Sequence, residues 1–397
     1  MYHLFYILVI SVLIVILIYT KMESGPPSLS GAYLNYSSTN ARKNGTLNPS
    51  DLAYPQNFQL RSDVEHLENK IRKLINAPAD SKVIINSGAT ESIANCVFWA
   101  KCYNKFGTIV GTRFDHSAVE DNCKTFEVDY DPNLNSNAIN ERCSMIFLTH
   151  VNSKTGEILD IPTFKRNFDN YSFMSDGMND AFKYNNGNPF NSTTLQYRPL
   201  LVLDATQSIM KVPIDMERWK LNAVFFSLHK IGGPIGMGVL VVRDTKDAPF
   251  KPLISGKQQH SLRGGTIPLQ QLMEYEHIFD EYDDANERKD KWKKTFESLK
   301  GAGLDVYEPR GKHLFNTFLV SVDGCPMETI NALARKGIYV GNTSACKNEE
   351  IADSKVMKGG GSVDPFENAI RISFANSNEL SDDVVGAIID ECKQSHN

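Results

Sequence analysis

The chain has 397 residues, 41% of them hydrophobic, enough to bury a large core and to build more than one domain. Its formal charge of −5, with no lysine- or arginine-rich run interleaved with aromatics, excludes a nucleic-acid surface of the basic kind. Seven cysteines, odd in number and without CxxC spacing, suit neither a disulfide framework nor a zinc site, so free thiols in a reducing compartment and no metal are expected.

In chain order, the first feature is "LFYILVISVLIVILIY" at 4–19, the only strongly apolar stretch without a charge. As a helix it would span roughly 24 Å, a little short of the ~30 Å hydrocarbon core, with Tyr2, His3 and Thr20 placed for the interfaces. A cleaved signal peptide normally carries positive charge before its apolar run; here none precedes it and Lys21 follows. Membrane anchor, signal peptide and buried helix are the three readings. The expectation is an anchor at 1–21 that makes a single pass, with the main body of the chain on the cytosolic side. Five N-x-S/T sequons, at Asn35, Asn44, Asn170, Asn191 and Asn342, would matter only in a translocated chain.

A Gly/Pro/Ser-rich linker follows, taken as 22–32. "RSDVEHLENKIRKLIN" then reads as a helix, with Ser62 and Glu65 at capping-box spacing and Val64, Leu67, Ile71 and Leu74 on one face. Apolar runs appear at 82–86, 107–111, 144–149, 199–204, 223–227 and 238–242, several separated by helix-length segments such as 91–105. This alternation predicts an α/β protein whose mostly parallel sheet is covered by helices. Residues 165–198 read as an inserted surface excursion. From 268 a long polar helical region leads to strands at 317–322 and 369–374, so a large domain at 33–267 and a smaller α/β domain at 268–397 are expected.

Ligands on such sheets bind beyond the carboxyl ends of the strands, and four features fall there. In "INSGATES" the backbone N–H groups around Ala89 and the Thr90 hydroxyl can hold a phosphate, or form a plain N-cap turn. Asp204 ends a buried run in "LLVLDATQS" and needs a cationic or N–H partner, which a structural salt bridge would also supply. His116 in "FDHSAVED" can stack on a ring or be an ordinary loop histidine. Lys230 ends the run "FFSLHK" before a turn with four glycines and a proline, which would hold its amine on a rigid elbow; a surface lysine in a hairpin is the other reading. A phosphate site, a carboxylate for a ring nitrogen, a stacking ring and an amine together describe a pyridoxal 5'-phosphate site.

The motifs "YLNYSSTN" (33–40), "SGATES" (87–92), "DHSAVED" (115–121), "LDATQSIMKVPID" (203–215), "SLHKIGGPIGMGVLVVR" (227–243), "LRGGT" (262–266), "TSAC" (343–346) and "IRIS" (370–373) resemble, in this order, those of cysteine desulfurases of the class V aminotransferase family. The resemblance covers about residues 33–390. It implies a fold-type I pyridoxal-phosphate enzyme, a homodimer that converts L-cysteine to L-alanine and passes the sulfur through an enzyme persulfide to an acceptor protein.

Residue by residue, the resemblance implies that Lys230 binds the cofactor covalently and then moves the substrate α-proton, that Asp204 keeps the pyridine nitrogen protonated, and that His116 stacks on the ring. Gln207 would hydrogen-bond the phenolic oxygen. Thr90, Ser227 and His229 would hold the phosphate, with Thr266 reaching in from a second subunit. Arg371 would clamp the substrate carboxylate, and Cys346, its thiolate favoured by Lys347, would take the sulfur. The chain departs from the family at Ser153, where an asparagine is usual three residues before the glycine, and Asn152 is the nearby substitute. It also departs at "SGKQQHS" before "LRGGT", in the charged residues after Cys346 and in the long 165–198 segment. The competing expectations are a selenocysteine lyase or other enzyme of the same fold, and a membrane-tethered scaffold without turnover.

Overall fold

The structure is a computed structural model that describes residues 57–169, 198–280, 285–342 and 368–394, less positions 113, 136, 137, 141 and 376. The chain divides into two units, the smaller comprising Met1–Leu67 and Gly265–Glu274 and the larger Glu68–Gly264 and Tyr275–Asn397. In the smaller, the described residues are the first turns of helix α1 (Asn57–Leu74) and a segment containing the short helix Leu269–Glu274. Helix α1 begins five residues before Ser62, so Ser62 and Glu65 sit inside the helix and do not cap it. Pro55, just upstream, is the nearer start signal.

The larger unit holds a seven-stranded sheet of β1 (Lys82–Asn86), β2 (Thr108–Val110), β3 (Asp129–Asp131), β4 (Cys143–Thr149), β5 (Leu200–Asp204), β6 (Ala223–Ser227) and β7 (Gly238–Val242), in the order β1-β7-β6-β5-β4-β2-β3. Strands β6, β5, β4, β2 and β3 pair in parallel, while β7 runs antiparallel to both β6 and β1. The sheet is therefore mostly parallel, as the alternation of apolar runs and helices predicts. Strands β4 to β7 are apolar at consecutive positions because both faces are covered. Helix α2 (Ala89–Tyr103) buries Ile93, Cys96, Val97 and Trp99 in a core that also takes Phe147, Phe225 and Leu240. Helix α3 (Ser117–Thr125) adds Val119 and Cys123.

A three-stranded antiparallel sheet, β8 (Thr317–Ser321), β10 (Ala369–Ser373) and β9 (Gly341–Asn342) in the order β8-β10-β9, belongs to the same unit and has its own core. Helices α4 (Lys289–Gly301), α5 (Pro326–Arg335) and α6 (Asp382–Lys393) accompany it. Its core is centred on Trp292, which stacks on Phe318 at 5.2 Å and donates its indole N–H to the Thr317 carbonyl. The long helical region expected from 268 is broken into a short helix, 3-10 turns at Glu276–Phe279 and Ala285–Arg288, and α4. Residues 165–169, the first of the excursion expected at 165–198, belong to a helix; 170–197 lie outside the described residues.

The expected transmembrane segment and single-pass membrane localisation are corrected: among the described residues no helix is long and apolar enough to cross a membrane. The longest of them, α1, carries Arg61, Asp63, Glu65, Glu68, Lys70, Arg72 and Lys73 along 18 residues, too many charges for hydrocarbon. The 1–21 segment on which the expectation rested, and the 22–32 linker, lie outside the described residues.

Candidate functional site

Across the row β1, β7, β6, the residues Asn86, Gly238 and Ser227 fall in register at one strand end. The row is held together by close backbone approach. A Cβ on Gly238 would lie 2.6 Å from the Gly88 Cα and 2.9 Å from the Asn86 Oδ1. Gly88, at φ 143°, turns the chain into α2, and no side chain caps the helix there. The Gly88 amide instead donates to Asn86 Oδ1 at 3.0 Å, and the Ala89 amide to the Ser227 hydroxyl at 2.8 Å, a contact spanning 138 residues. Thr90 is exposed on the first turn of α2. Amides at a helix N-terminus with a neighbouring hydroxyl are donors suited to an anionic group.

On the next strand, Asp204 ends β5 opposite Thr149 at the end of β4. Burial pushes the Asp204 carboxyl up from the usual carboxylate range, against the Thr206 amide that donates to it at 2.8 Å; the nearby Asp115 charge pushes the same way and His116 opposes it. Asp115 is half-buried. Burial raises its carboxyl too, although it accepts from the Thr112 amide and hydroxyl, the Thr149 hydroxyl and the Tyr130 phenol. His116 caps α3: its Nδ1 accepts from the Ala118 amide at 3.1 Å, which places the proton of the neutral ring on Nε2. A carboxyl whose proton affinity is raised in this way can hold a proton for a neighbouring basic group.

A cleft in this unit is lined on one wall by Val151, Asn152, Ser153 and Gly156 and on the other by Leu314, Asn316 and Thr317, with Gln207, Lys230, Arg371 and Ser373 also reaching it. Lys230 lies in the 3-10 turn Leu228–Ile231, closed by Gly232 in the left-handed region at φ 86°. Burial, and then the Lys230 charge, hold the His229 imidazole below its ordinary range. Arg371 sits on β10, where burial works against its charge; its Nη1 donates to the Ser153 carbonyl at 3.2 Å, and among the described residues it forms no ion pair. Asn152 also lines the cleft, and its Oδ1 accepts from the Lys154 and Thr155 amides.

Of the residues singled out in the sequence, the cleft gathers Gln207, Lys230 and Arg371. Ala89 and Ser227 meet at the β1 end, and Asp204 and His116 interact near the β5 end. Thr266 falls in the smaller unit, outside the one that carries the cleft. Cys346 lies outside the described residues, as do the "YLNYSSTN" and "TSAC" motifs apart from position 342 just before the latter. Sequence reasoning missed Asn316, Thr317, Ser373 and Asp115. Ser373 was within reach, since strand alternation puts it on the face of Arg371 while Ile370 and Ile372 enter the core.

The family model described as Aminotransferase class-V matches residues 44–181 and 190–384. A protein named cysteine desulfurase IscS from Klebsiella pneumoniae subsp. pneumoniae is 26% identical over 354 residues, covering 82% of this chain and 80% of its own. One of the same name from Photorhabdus laumondii subsp. laumondii is 25% identical over 366 residues with the same coverage. Among solved structures, a NifS-like protein superposes with a TM-score of 0.66 at 21% identity, covering 87% of this chain and 90% of its own. A NifS-like protein from Rickettsia africae gives 0.63 at 17% identity, with coverage of 87% and 90%. With a fold shared with these structures and a family model that spans most of its length, the chain belongs to the aminotransferase class-V family.

Proposed function

We propose that this protein is a pyridoxal-phosphate-dependent cysteine desulfurase that converts L-cysteine to L-alanine and retains the sulfur on an enzyme cysteine. The observation that carries this is the convergence of Lys230, Gln207 and Arg371, from three distant parts of the chain, on one cleft. The residues present fit the cofactor: Asp204, its proton affinity raised by burial, suits a ring nitrogen, and the start of α2, where the Ala89 amide meets the Ser227 hydroxyl, suits a phosphate. When bound, pyridoxal phosphate supplies an electron-accepting ring that labilises bonds at the substrate α-carbon.

In this reading Asp204 would hold a proton at the ring nitrogen and His116, its orientation set by the Ala118 amide, would help hold the ring. Ala89 and Thr90 with Ser227 and His229 bind the phosphate, and Gln207 orients the ring's phenolic oxygen. Lys230 carries the cofactor and moves the α-proton through its Nζ. Arg371 presents its guanidinium to the substrate carboxylate, a bidentate contact that lysine could not reproduce. Cys346, outside the described residues, takes the substrate sulfur as a persulfide. A homodimer with Thr266 contributed across it, and an acceptor protein that receives the sulfur, belong to the same proposal.

The test is direct. Purified protein is expected to be yellow, to be fixed by borohydride at Lys230, and to release alanine and sulfide from L-cysteine in the presence of reductant. Lys230→Ala should lose the fixed cofactor and at least a thousandfold in turnover while keeping its far-ultraviolet dichroism. Borohydride labelling at another lysine, or turnover that survives Lys230→Ala, overturns the assignment. Activity confined to selenocysteine makes the lyase the correct name.

A further inference from the structure

One wall of the cleft is a tight turn, and its shape is set from outside the cleft. Residues Val151 and Ile158 bridge in antiparallel fashion, the Asn152 amide donates to the Glu157 carbonyl at 2.9 Å, and the Gly156 amide donates to the Asn152 carbonyl at 2.8 Å. Gly156, at φ 74°, permits the reversal. The outgoing side then pairs with the chain leading into β8: Glu157 bridges His313, the Ile158 amide donates to the Lys312 carbonyl at 2.8 Å, and the Leu314 amide to the Gly156 carbonyl at 3.0 Å.

The Glu157 side chain ties the same two segments a second time. Its Oε1 accepts from the Arg310 amide at 2.7 Å, and its Oε2 from the Tyr307 phenol at 3.1 Å and the Thr155 hydroxyl at 3.0 Å. Burial and the Glu157 carboxylate both push the Tyr307 phenol up, so it remains a donor. Tyr307 is itself anchored, its amide donating to the Leu319 carbonyl on β8. A charged acceptor with three donors is a stronger tie than a neutral one.

What this tie positions is a single peptide group. The Ser153 carbonyl and the Lys154 amide share one plane; the amide donates to Asn152 Oδ1 at 2.8 Å, which turns the carbonyl toward the Arg371 Nη1 at 3.2 Å. Gly341 closes the other side, where an added Cβ would stand 3.2 Å from the Arg371 Nη2. Arg371 is thus hemmed between β9 and the turn. We infer that Glu157 is a positioning residue: by fastening the 151–158 turn to Tyr307 and Arg310 it sets the Ser153 carbonyl, and through it the angle at which Arg371 meets a substrate carboxylate. This rests on the proposed function, which gives Arg371 that carboxylate.

The experiment compares Glu157→Gln, Tyr307→Phe and Arg371→Gln with the wild-type holoenzyme. It measures kcat and KM for L-cysteine, and inhibition by cysteamine, which keeps the amine and thiol and lacks the carboxylate. Glu157→Gln is expected to raise the L-cysteine KM about fivefold or more with kcat within about twofold, and to leave the cysteamine inhibition constant within about twofold. Tyr307→Phe should give the same pattern, weaker. Hydrogen exchange of peptides covering 151–158 should quicken in Glu157→Gln, independently of turnover. If Arg371→Gln raises KM tenfold but Glu157→Gln leaves it unchanged, the positioning role is overturned alone. If Arg371→Gln has no effect on KM, the carboxylate reading of the cleft falls with it. Equal weakening of L-cysteine and cysteamine, or unchanged exchange, also overturns the inference.

Discussion

Thr149 and Asp204 stand opposite one another at the ends of the parallel pair β4 and β5, and the Thr149 hydroxyl donates to Asp115 at 2.5 Å. Through that one hydroxyl the loop before His116 is moored to the strand end beside Asp204. Asp115→Asn should therefore cost stability, because one carboxylate oxygen becomes an NH2 facing donors it formerly accepted. The Thr112 amide at 2.9 Å cannot reverse its role. A loss of about 1–3 kcal/mol is expected in urea unfolding. No change in the urea midpoint would mean that Asp115 is not the mooring point.

His150 yields a pH prediction. It is 2% exposed, its Nδ1 has no hydrogen-bond partner among the described residues, and its ring meets Trp219 edge-on at 5.6 Å. Burial lowers its pKa from 6.5 to about 4. Between those values the unfolded chain binds a proton that the folded protein refuses, so stability falls as pH drops through this window. The loss reaches about 3 kcal/mol at pH 4, at ~1.4 kcal/mol per pKa unit. His150→Phe keeps an aromatic ring without the titration. The difference in unfolding free energy between wild type and this variant should shift in the variant's favour between pH 6.5 and 4, and a flat difference would refute the assignment.

Gly238→Ala tests the close approach of β7 to the turn before α2. The new methyl would meet the Gly88 backbone at 2.6 Å, and backbone cannot rotate away as a side chain can. Expected are a destabilisation of about 2 kcal/mol or more and weaker retention of the phosphate-bearing cofactor, measured by urea unfolding and by equilibrium dialysis. Gly232→Ala is a useful contrast: nothing lies within 4 Å, so only its positive φ opposes the substitution.

Strands with consecutive apolar residues, such as "AVFFS" and "GVLVV", were legible because burial on both sheet faces leaves no polar alternation. Strands β3 and β9 were not. The three residues of β3 are Asp-Tyr-Asp at a sheet edge, and β9 has two residues, so neither carries a hydrophobic signal. In the site, Lys230 and Asp204 announce themselves locally, one by its glycines and the other by ending an apolar run. Asp115 with Thr149, 34 residues away, and Glu157 with Tyr307, 150 residues away, are pairings that only the folded chain brings together. The apolar character of 4–19 is a property of its composition, and composition alone did not establish a span.

Strand β1 lies at the edge of the large sheet, where β7 is the strand it pairs with among the described residues, and the Gln259 side chain bonds the Ile85 amide and carbonyl. During synthesis it must wait for that neighbour. The Ala89 amide and the Ser227 hydroxyl are 138 residues apart, so at ~5–20 residues per second their meeting is delayed by roughly 7–28 seconds. Through that interval "KVIIN" is an apolar edge without a partner, open to pairing with other chains or to capture by a chaperone. The end of the sheet where the Ala89 amide meets Ser227 is therefore among the last parts of this sheet to be assembled, and a translation pause before residue 242 would lengthen the period in which the nascent protein is prone to aggregate.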